Sequence, residues 1–353
     1  MKRPSSNALR RSAAHWDRQA QAGWKLSTGI YWTDLPAVRR RLNQKASGDP
    51  DVDWLQYVVT RYLAGSTPLN RVVSLGCGEG TLERKLADMG VFRRCDGYDI
   101  AKLNLQRAVD AATARQISGL FYHQADLNEL HLPPASAQAV FAESALHHVA
   151  NLEGLLTQVR DGLTPGGWLF VNEYVGPSRF QFPNRQLELM NAALRLLPER
   201  CRVCIRPTAN ADRQNAESMG TTFARIVAAL RGGQMLGAIR RRLERAVGRA
   251  RGAQPLKSNV RRPDPRQLAI SDPSEAVRSA EIMQLLPRYL TVVEVKPLGG
   301  GLLHFLLDDI AGNLLRDVPG NASLLDALFH VEDALMEAGE LASDFAMVVA
   351  RKA

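Results

Sequence analysis

The sequence predicts an α/β fold built around a doubly wound, mainly parallel sheet. Two observations carry this prediction. From about Asn70, short apolar runs alternate with helical stretches, the pattern of a sheet covered by helices on both faces. The first run, Val72-Val73-Ser74-Leu75, leads straight into Gly76-Cys77-Gly78-Glu79-Gly80 and then a helix, and glycines at such a turn let the backbone approach a ligand. The 353 residues, 45% of them hydrophobic, suffice for two domains or for one large domain with an insertion.

In chain order, Arg71 to Leu75 reads as a strand and Thr81 to Met89 as a helix, followed by a short strand ending at Tyr98 and Asp99. A helix over Leu103 to Thr113, strands over Leu120 to His123 and Ala139 to Ala142, and a helix over Leu152 to Gly162 continue the series. Thr164-Pro165-Gly166-Gly167 reads as a turn leading into the strand Trp168 to Val171. The alternation stops near Gly176 and resumes with a helix over Ser274 to Tyr289, a strand over Thr291 to Val295, a helix over Ser323 to Ala338 and a closing strand over Phe345 to Ala350. Before this core, Trp16, Trp24, Trp32 and Trp54 mark an aromatic-rich segment with little strand alternation. The expected units are a helical cap over 1–69, a ligand-binding core over 70–175, an inserted helical and basic region over 176–272, and the C-terminal part of the core, with its own helical insertion, over 273–353.

Four cysteines are too few and too scattered for a secreted disulfide framework. The N-terminus lacks the apolar stretch of a signal peptide, and the apolar run from Leu302 to Leu307 ends at two aspartates, far short of a membrane span. The expectation is a cytoplasmic protein. Its formal charge of +9 would suit a polyanion partner, but twelve Lys and Arg against two acids lie between Arg225 and Arg266. That stretch carries +10 and leaves the rest near neutral. Within it, Met235, Leu236, Ile239, Leu243 and Val247 recur at helical spacing among Arg240, Arg241, Arg242, Arg245 and Arg249. Residues 235–251 thus read either as a solvated helix packed on the domain or as a clamp on anionic lipid headgroups at the cytoplasmic side of a membrane, on a phosphate-bearing substrate or on RNA. No aromatic lies between Ala224 and Arg266 to stack on bases, which disfavours nucleic acid.

The loop after the first strand has the form G-x-G-x-G, with Thr81 where a dinucleotide loop would carry its third glycine, so a nucleoside without phosphates fits better. Gly76, Gly78 and Gly80 would shape this loop, with Cys77 as a small filler between them. Asp99, at the end of the second strand, is spaced to accept both ribose hydroxyls. Asp126 would accept from an exocyclic amine, with the backbone of Leu127 beside a ring nitrogen and Ile100 and Leu127 against the base. Cys201 and Cys204 have the spacing of half a zinc knuckle, but no second pair follows.

Together Leu75 to Gly80, Asp99, Asp126-Leu127, Leu146-His147-His148-Val149 and Leu163 to Gly167 resemble a class I S-adenosylmethionine-dependent methyltransferase. The resemblance implies a Rossmann-like, seven-stranded sheet of order 3-2-1-4-5-7-6 with only the last strand antiparallel, and S-adenosyl-L-methionine as cofactor. Many relatives carry an acid where Ser74 stands, to help hold the cofactor's ammonium; Glu143 is the candidate to replace it. The stretches Ser47-Gly48-Asp49-Pro50 with Asp53-Trp54-Leu55, Glu173 to Phe180, and Asp272 to Ser279 are similar to bacterial methyltransferases found near envelope-polysaccharide genes. That similarity implies an N-terminal cap closing over the substrate, with Glu173, Tyr174 and Arg179 lining the acceptor side.

Methyl transfer to a hydroxyl requires alignment and removal of a proton, and neutral imidazole is available for that near pH 7. His147 and His148 follow the fourth strand and are the candidate bases; the alternative is that one bonds the backbone and the other faces outward. Metal-assisted quinone methyltransferases carry Glu-x-x-Glu-His here, and alignment on His148 puts Ser144 and His147 at the carboxylate positions, so no metal is predicted. The absence of an Asn/Asp-Pro-Pro-Tyr sequence disfavours exocyclic amines. The expected activity is O-methylation of a small molecule, sugar or glycolipid. The alternatives are an RNA methyltransferase using the arginine-rich insertion and a non-catalytic nucleoside-binding module.

Overall fold

The computed structural model describes residues 11–18, 30–205, 255–315 and 317–353. Seven strands form one sheet: β1 (Val72–Leu75), β2 (Cys95–Asp99), β3 (Leu120–Gln124), β4 (Ala137–Glu143), β5 (Leu163–Tyr174), β6 (Thr291–Gly299) and β7 (Phe345–Arg351). Their order is β3-β2-β1-β4-β5-β7-β6, and only β7 runs antiparallel to its neighbours. The sequence order of pairing reverses between β1 and β4, which opens a crevice at their carboxyl ends.

Alternate side chains of each strand enter different layers. Val73, Leu75, Val140 and Val171 pack with the helix Leu152–Gly162 and with Ile282, Leu285 and Leu286 on one face. Val72, Ala139, Phe141 and Phe170 pack on the other, against the helices Trp54–Tyr62 and Thr81–Asp88. A third apolar cluster lies beyond the sheet and joins Trp32 and Leu35 to the helices Asn184–Leu196, Leu303–Leu307 and Asn321–Glu337. Among the described residues, no helix is long and apolar enough to cross a membrane.

Three expectations change. The stretch over Ser274 to Tyr289 is not one helix: it runs as turns, a 3-10 turn at Ser279–Glu281, a short helix at Ile282–Leu285 and a second 3-10 turn at Leu286–Arg288. Ala276 adopts φ +46° and Val277 N donates to His147 O at 3.0 Å, so this backbone bonds to the loop after β4 instead of to itself. The turn at Thr164 to Gly167 lies inside β5, where the register with β4 shifts between Ala137 and Ala139. The N-terminal region is also not one cap. Residues 11–18 are helical, the helix Pro36–Ser47 packs near β6, and Trp32 and Trp54 enter different cores. Trp24 and the basic stretch 235–251 lie outside the described residues.

Candidate active site

At the carboxyl ends of β1 to β4 is a cavity of about 180 Å³. Gly76 and Gly78 floor it with φ of +67° and +51°. The need for glycine at 76 is steric as well as torsional: a Cβ there would stand 2.5 Å from the Cβ of Ala145 in the loop after β4. Gly76 N and Cys77 N both donate to Tyr98 O, which ties this loop to β2. Gly80 is not on the wall; it caps the following helix with φ +76°, and a Cβ on it would strike the Tyr122 hydroxyl. Cys77 is buried beside Gly97, its thiol pushed up by burial, and it packs the loop from beneath.

Asp99 and Asp126 face the cavity from neighbouring strand ends. Asp99 accepts from Gly78 N and Ala101 N at 2.9 and 2.8 Å, which orients the carboxylate and leaves each oxygen a further lone pair. Asp126 Oδ1 accepts from Asn128 N and Nδ2, whereas Oδ2 is buried and has no partner. A buried carboxylate oxygen without a donor is costly, and a ligand amine is a donor of the right kind. Ile100 and Leu127 give the cavity apolar walls.

After β4 the chain makes a strained turn, with Ser144 at φ +51°. Glu173 holds it: Oε2 accepts from Ala145 N and Leu146 N, while Oε1 accepts from Tyr174 N and from His147 Nδ1 at 2.5 Å. Burial disfavours charge on His147, but Glu173, Glu275 and Asp272 outweigh it and push the imidazole up to about 9. His148 lines the cavity, and burial followed by the charge of His147 holds it well below its usual range.

The structure thus brings Gly76, Gly78, Asp99, Ile100, Asp126, Leu127 and His148 to one cavity. The other expected residues stand elsewhere. Ser74 is buried in β1 beside Glu83, an acid that sequence reasoning missed and that burial pushes up to about 7. Glu143 is occupied by Trp54 Nε1 and Asn172 Nδ2 and does not line the cavity. Glu173, expected on the acceptor side, is 1% exposed with its oxygens bonded inward, so it positions the loop. Tyr174 is buried among Phe180, His304 and Phe345 and donates its hydroxyl to Pro177 O. Arg179 straps the 272–279 segment, donating to the carbonyls of Pro273 and Glu275. None of these three lines the cavity, because their polar atoms are committed to backbone partners and, for Glu173, to His147 as well.

Other missed wall residues come from distant parts of the chain. Ser12 and Trp16, on the helical residues 11–18, cover the cavity, and the Trp16 ring meets His148 edge-on at 5.2 Å. Asp17 fastens this segment by accepting from Leu103 N at 2.9 Å. Ser274 closes the opposite side with its hydroxyl 3.3 Å from His148 Nδ1. The Trp cluster pointed to a cap, and Ser274 lies in a stretch noted for resemblance, but neither signal placed a side chain on a wall.

Residues 73–171 match the family described as "Methyltransferase domain". This stretch is a class I S-adenosylmethionine-dependent methyltransferase domain. The 27-O-demethylrifamycin SV methyltransferase of Amycolatopsis mediterranei (strain S699) is 30% identical over 121 residues, which are 33% of this chain and 44% of that protein. The trans-aconitate 2-methyltransferase of Mycobacterium tuberculosis (strain ATCC 25177 / H37Ra) is 35% identical over 130 residues, 37% of this chain and 43% of that protein. The chain spans about half the length of the curated relatives it matches. A solved S-adenosylmethionine-dependent methyltransferase from Mesorhizobium loti is 18% identical, covering 80% of this chain and 91% of that one at a TM-score of 0.39. The methyltransferase domain contains the glycine loop, Asp99, Asp126 and the His pair, whereas Ser12, Trp16, Asp272 and Ser274 lie outside it.

Proposed function

We propose that the chain transfers the methyl group of S-adenosylmethionine to a hydroxyl of a small molecule, sugar or glycolipid, with the hydroxyl proton removed at the His147–His148 centre. The observation that carries this reading is the cavity in which Asp99, the unpartnered Oδ2 of Asp126 and His148 share one wall system. In it, Asp99 takes the ribose hydroxyls, Asp126 Oδ2 the adenine amine, and Ile100 and Leu127 the faces of the base. Gly76 and Gly78 let the loop backbone come close to the ligand, and Ser74 and Glu143 support the amino-acid end from behind the wall. The bound cofactor supplies a methyl group on a positively charged sulfur, a leaving group that needs no further activation. What remains for the protein is alignment and proton removal.

The glycine loop fixes one partner in place, and the Glu173-braced turn fixes the His pair beside it. Trp16 and Ser12 cover the cavity and keep water from competing with the acceptor. Two relatives are named for small-molecule acceptors, which supports the same class here. The units 70–175, 176–272 and 273–353 are proposed to act as cofactor core, acceptor region and core completion, and within 1–69 the helical residues 11–18 are proposed to act as the cover. The basic residues 235–251 are proposed to meet the anionic inner face of the membrane.

A transfer assay with methyl-labelled cofactor on lysate fractions tests the acceptor class. Label is expected in the small-molecule or glycolipid pool and at least about a hundredfold less of it with His148→Ala; label confined to RNA or protein would contradict the reading.

A further inference from the structure

The loop after β4 and the segment that precedes β6 bring His148, on the cavity wall, together with groups that do not line the cavity. One ligand atom each of His147, His148 and Glu275 lie within 4.8 Å of one another. Asp272 stands beside them. Its Oδ1 accepts from the hydroxyls of Ser12 and Ser274 and from Ser274 N, whereas Oδ2 is buried, has no hydrogen-bond partner and lies 3.8 Å from His148 Nδ1.

His147 donates its Nδ1 proton to Glu173, which leaves a lone pair on Nε2 in the neutral ring. That nitrogen faces Glu275 Oε1 at 3.7 Å, too far for a hydrogen bond. With a proton on Nε2 this is a long ion pair; without it two lone pairs face each other, and a metal ion can take the place of the proton. Two ligands on one tetrahedral ion, each about 2.1 Å from it, stand about 3.4 Å apart, close to the gap between His147 and Glu275. A buried carboxylate behind an imidazole is also the arrangement that holds a metal-ligating histidine in its working tautomer. Three carboxylates, Glu173, Asp272 and Glu275, converge here, and the guanidinium of Arg179 is directed at the carbonyls of Pro273 and Glu275.

We propose that His147, His148 and Glu275 bind a divalent transition-metal ion of the Zn²⁺ or Fe²⁺ type beside the cofactor cavity, with a fourth position left open and Asp272 beside His148. Two imidazoles favour such an ion over Mg²⁺. The sequence expectation of no metal weighed only Ser144 and His147 as carboxylate positions; the carboxylates come from the far side of the insertion. The ion's role, though not its binding, rests on the methyltransferase reading. With the ion in place the two imidazoles are ligands and no longer bases: an acceptor hydroxyl bound to the ion would release its proton to solvent at this same centre, and its oxygen would form the new O–C bond as the C–S bond breaks. The electron pair of that bond stays on sulfur, which becomes a neutral thioether.

The test titrates chelator-treated full chain with Zn²⁺ and Co²⁺ alone, by calorimetry and by the visible absorption of Co²⁺. A single ion is expected per chain, with affinity at least about tenfold lower and the Co²⁺ band lost in Glu275→Gln and in His147→Asn. Both variants should keep S-adenosylmethionine affinity within about threefold, which shows that they fold. No ion on the wild type, or equal ion affinity in variants that still bind the cofactor, overturns the proposal. A wild type that binds the ion but not S-adenosylmethionine supports the metal site and contradicts the methyltransferase reading.

Discussion

Asp344 is 2% exposed just before β7, where its Oδ2 accepts from Gln186 Nε2 at 2.8 Å. Burial raises its carboxyl from the ordinary 3.8 to about 7, so the folded chain holds the proton more tightly than the unfolded one. The stabilisation is therefore complete below about pH 4 and is lost as pH rises through about 7. Asp344→Asn should gain in urea midpoint relative to wild type as pH rises from 5 to 8; a difference constant with pH would contradict this. Gly76→Ala adds both a disfavoured φ and a clash with Ala145, and should cost about 2 kcal/mol or more in thermal unfolding, besides weakening cofactor binding. At this scale the sequence was informative where backbone geometry dictates the residue type. Asp99 ends β2 and Asp126 follows the end of β3 by two residues, and the positions of both strands follow from periodicity, so both reach the cavity. Glu173 and Arg179 were misplaced because their positions next to the site are legible in sequence, but the direction in which their polar atoms point is set by the loops they hold.

The segment Asp272 to Arg278 is the element that sequence periodicity describes least well. Its apolar residues fit a helical spacing, yet Arg179 N donates to Ala276 O and Val277 N donates to His147 O, bonds that draw the backbone away from helix. Arg278 fastens its end, bonding both carboxylate oxygens of Glu153 at 2.5 and 2.7 Å, both of Glu281, and Ala150 O. The two acids are roughly half exposed, so losing the arginine leaves them solvated and the cost modest. Arg278→Ala should lower stability by about 2 kcal/mol and increase protease cleavage between 272 and 281. An unchanged cleavage rate would show that Arg278 does not hold this segment. Helices whose ends are set locally were read more closely: Leu152 to Gly162 coincides at both ends, its N-terminus capped by Asn151.

Across the whole molecule, sheet order and strand direction followed from the sequence because the ordered motifs and their resemblance leave few topologies open. The covering of the cavity did not, since Ser12 and Trp16 reach it from more than fifty residues before the first strand. Trp16→Ala should weaken cofactor binding at least about threefold without lowering thermal stability by more than about 1 kcal/mol, as it removes a wall and not a core. The +10 stretch from Arg225 to Arg266 should make any affinity for anionic vesicles fall steeply with salt, while methyl transfer to a soluble acceptor stays nearly constant. The central claim is that the cavity between β1 and β4 holds S-adenosylmethionine through Asp99 and its neighbours. Calorimetric titration of the cofactor into wild type and Asp99→Ala tests it most directly. Binding by the wild type and at least about tenfold weaker binding by the variant are predicted; equal affinity, or no binding by the wild type, would contradict the account.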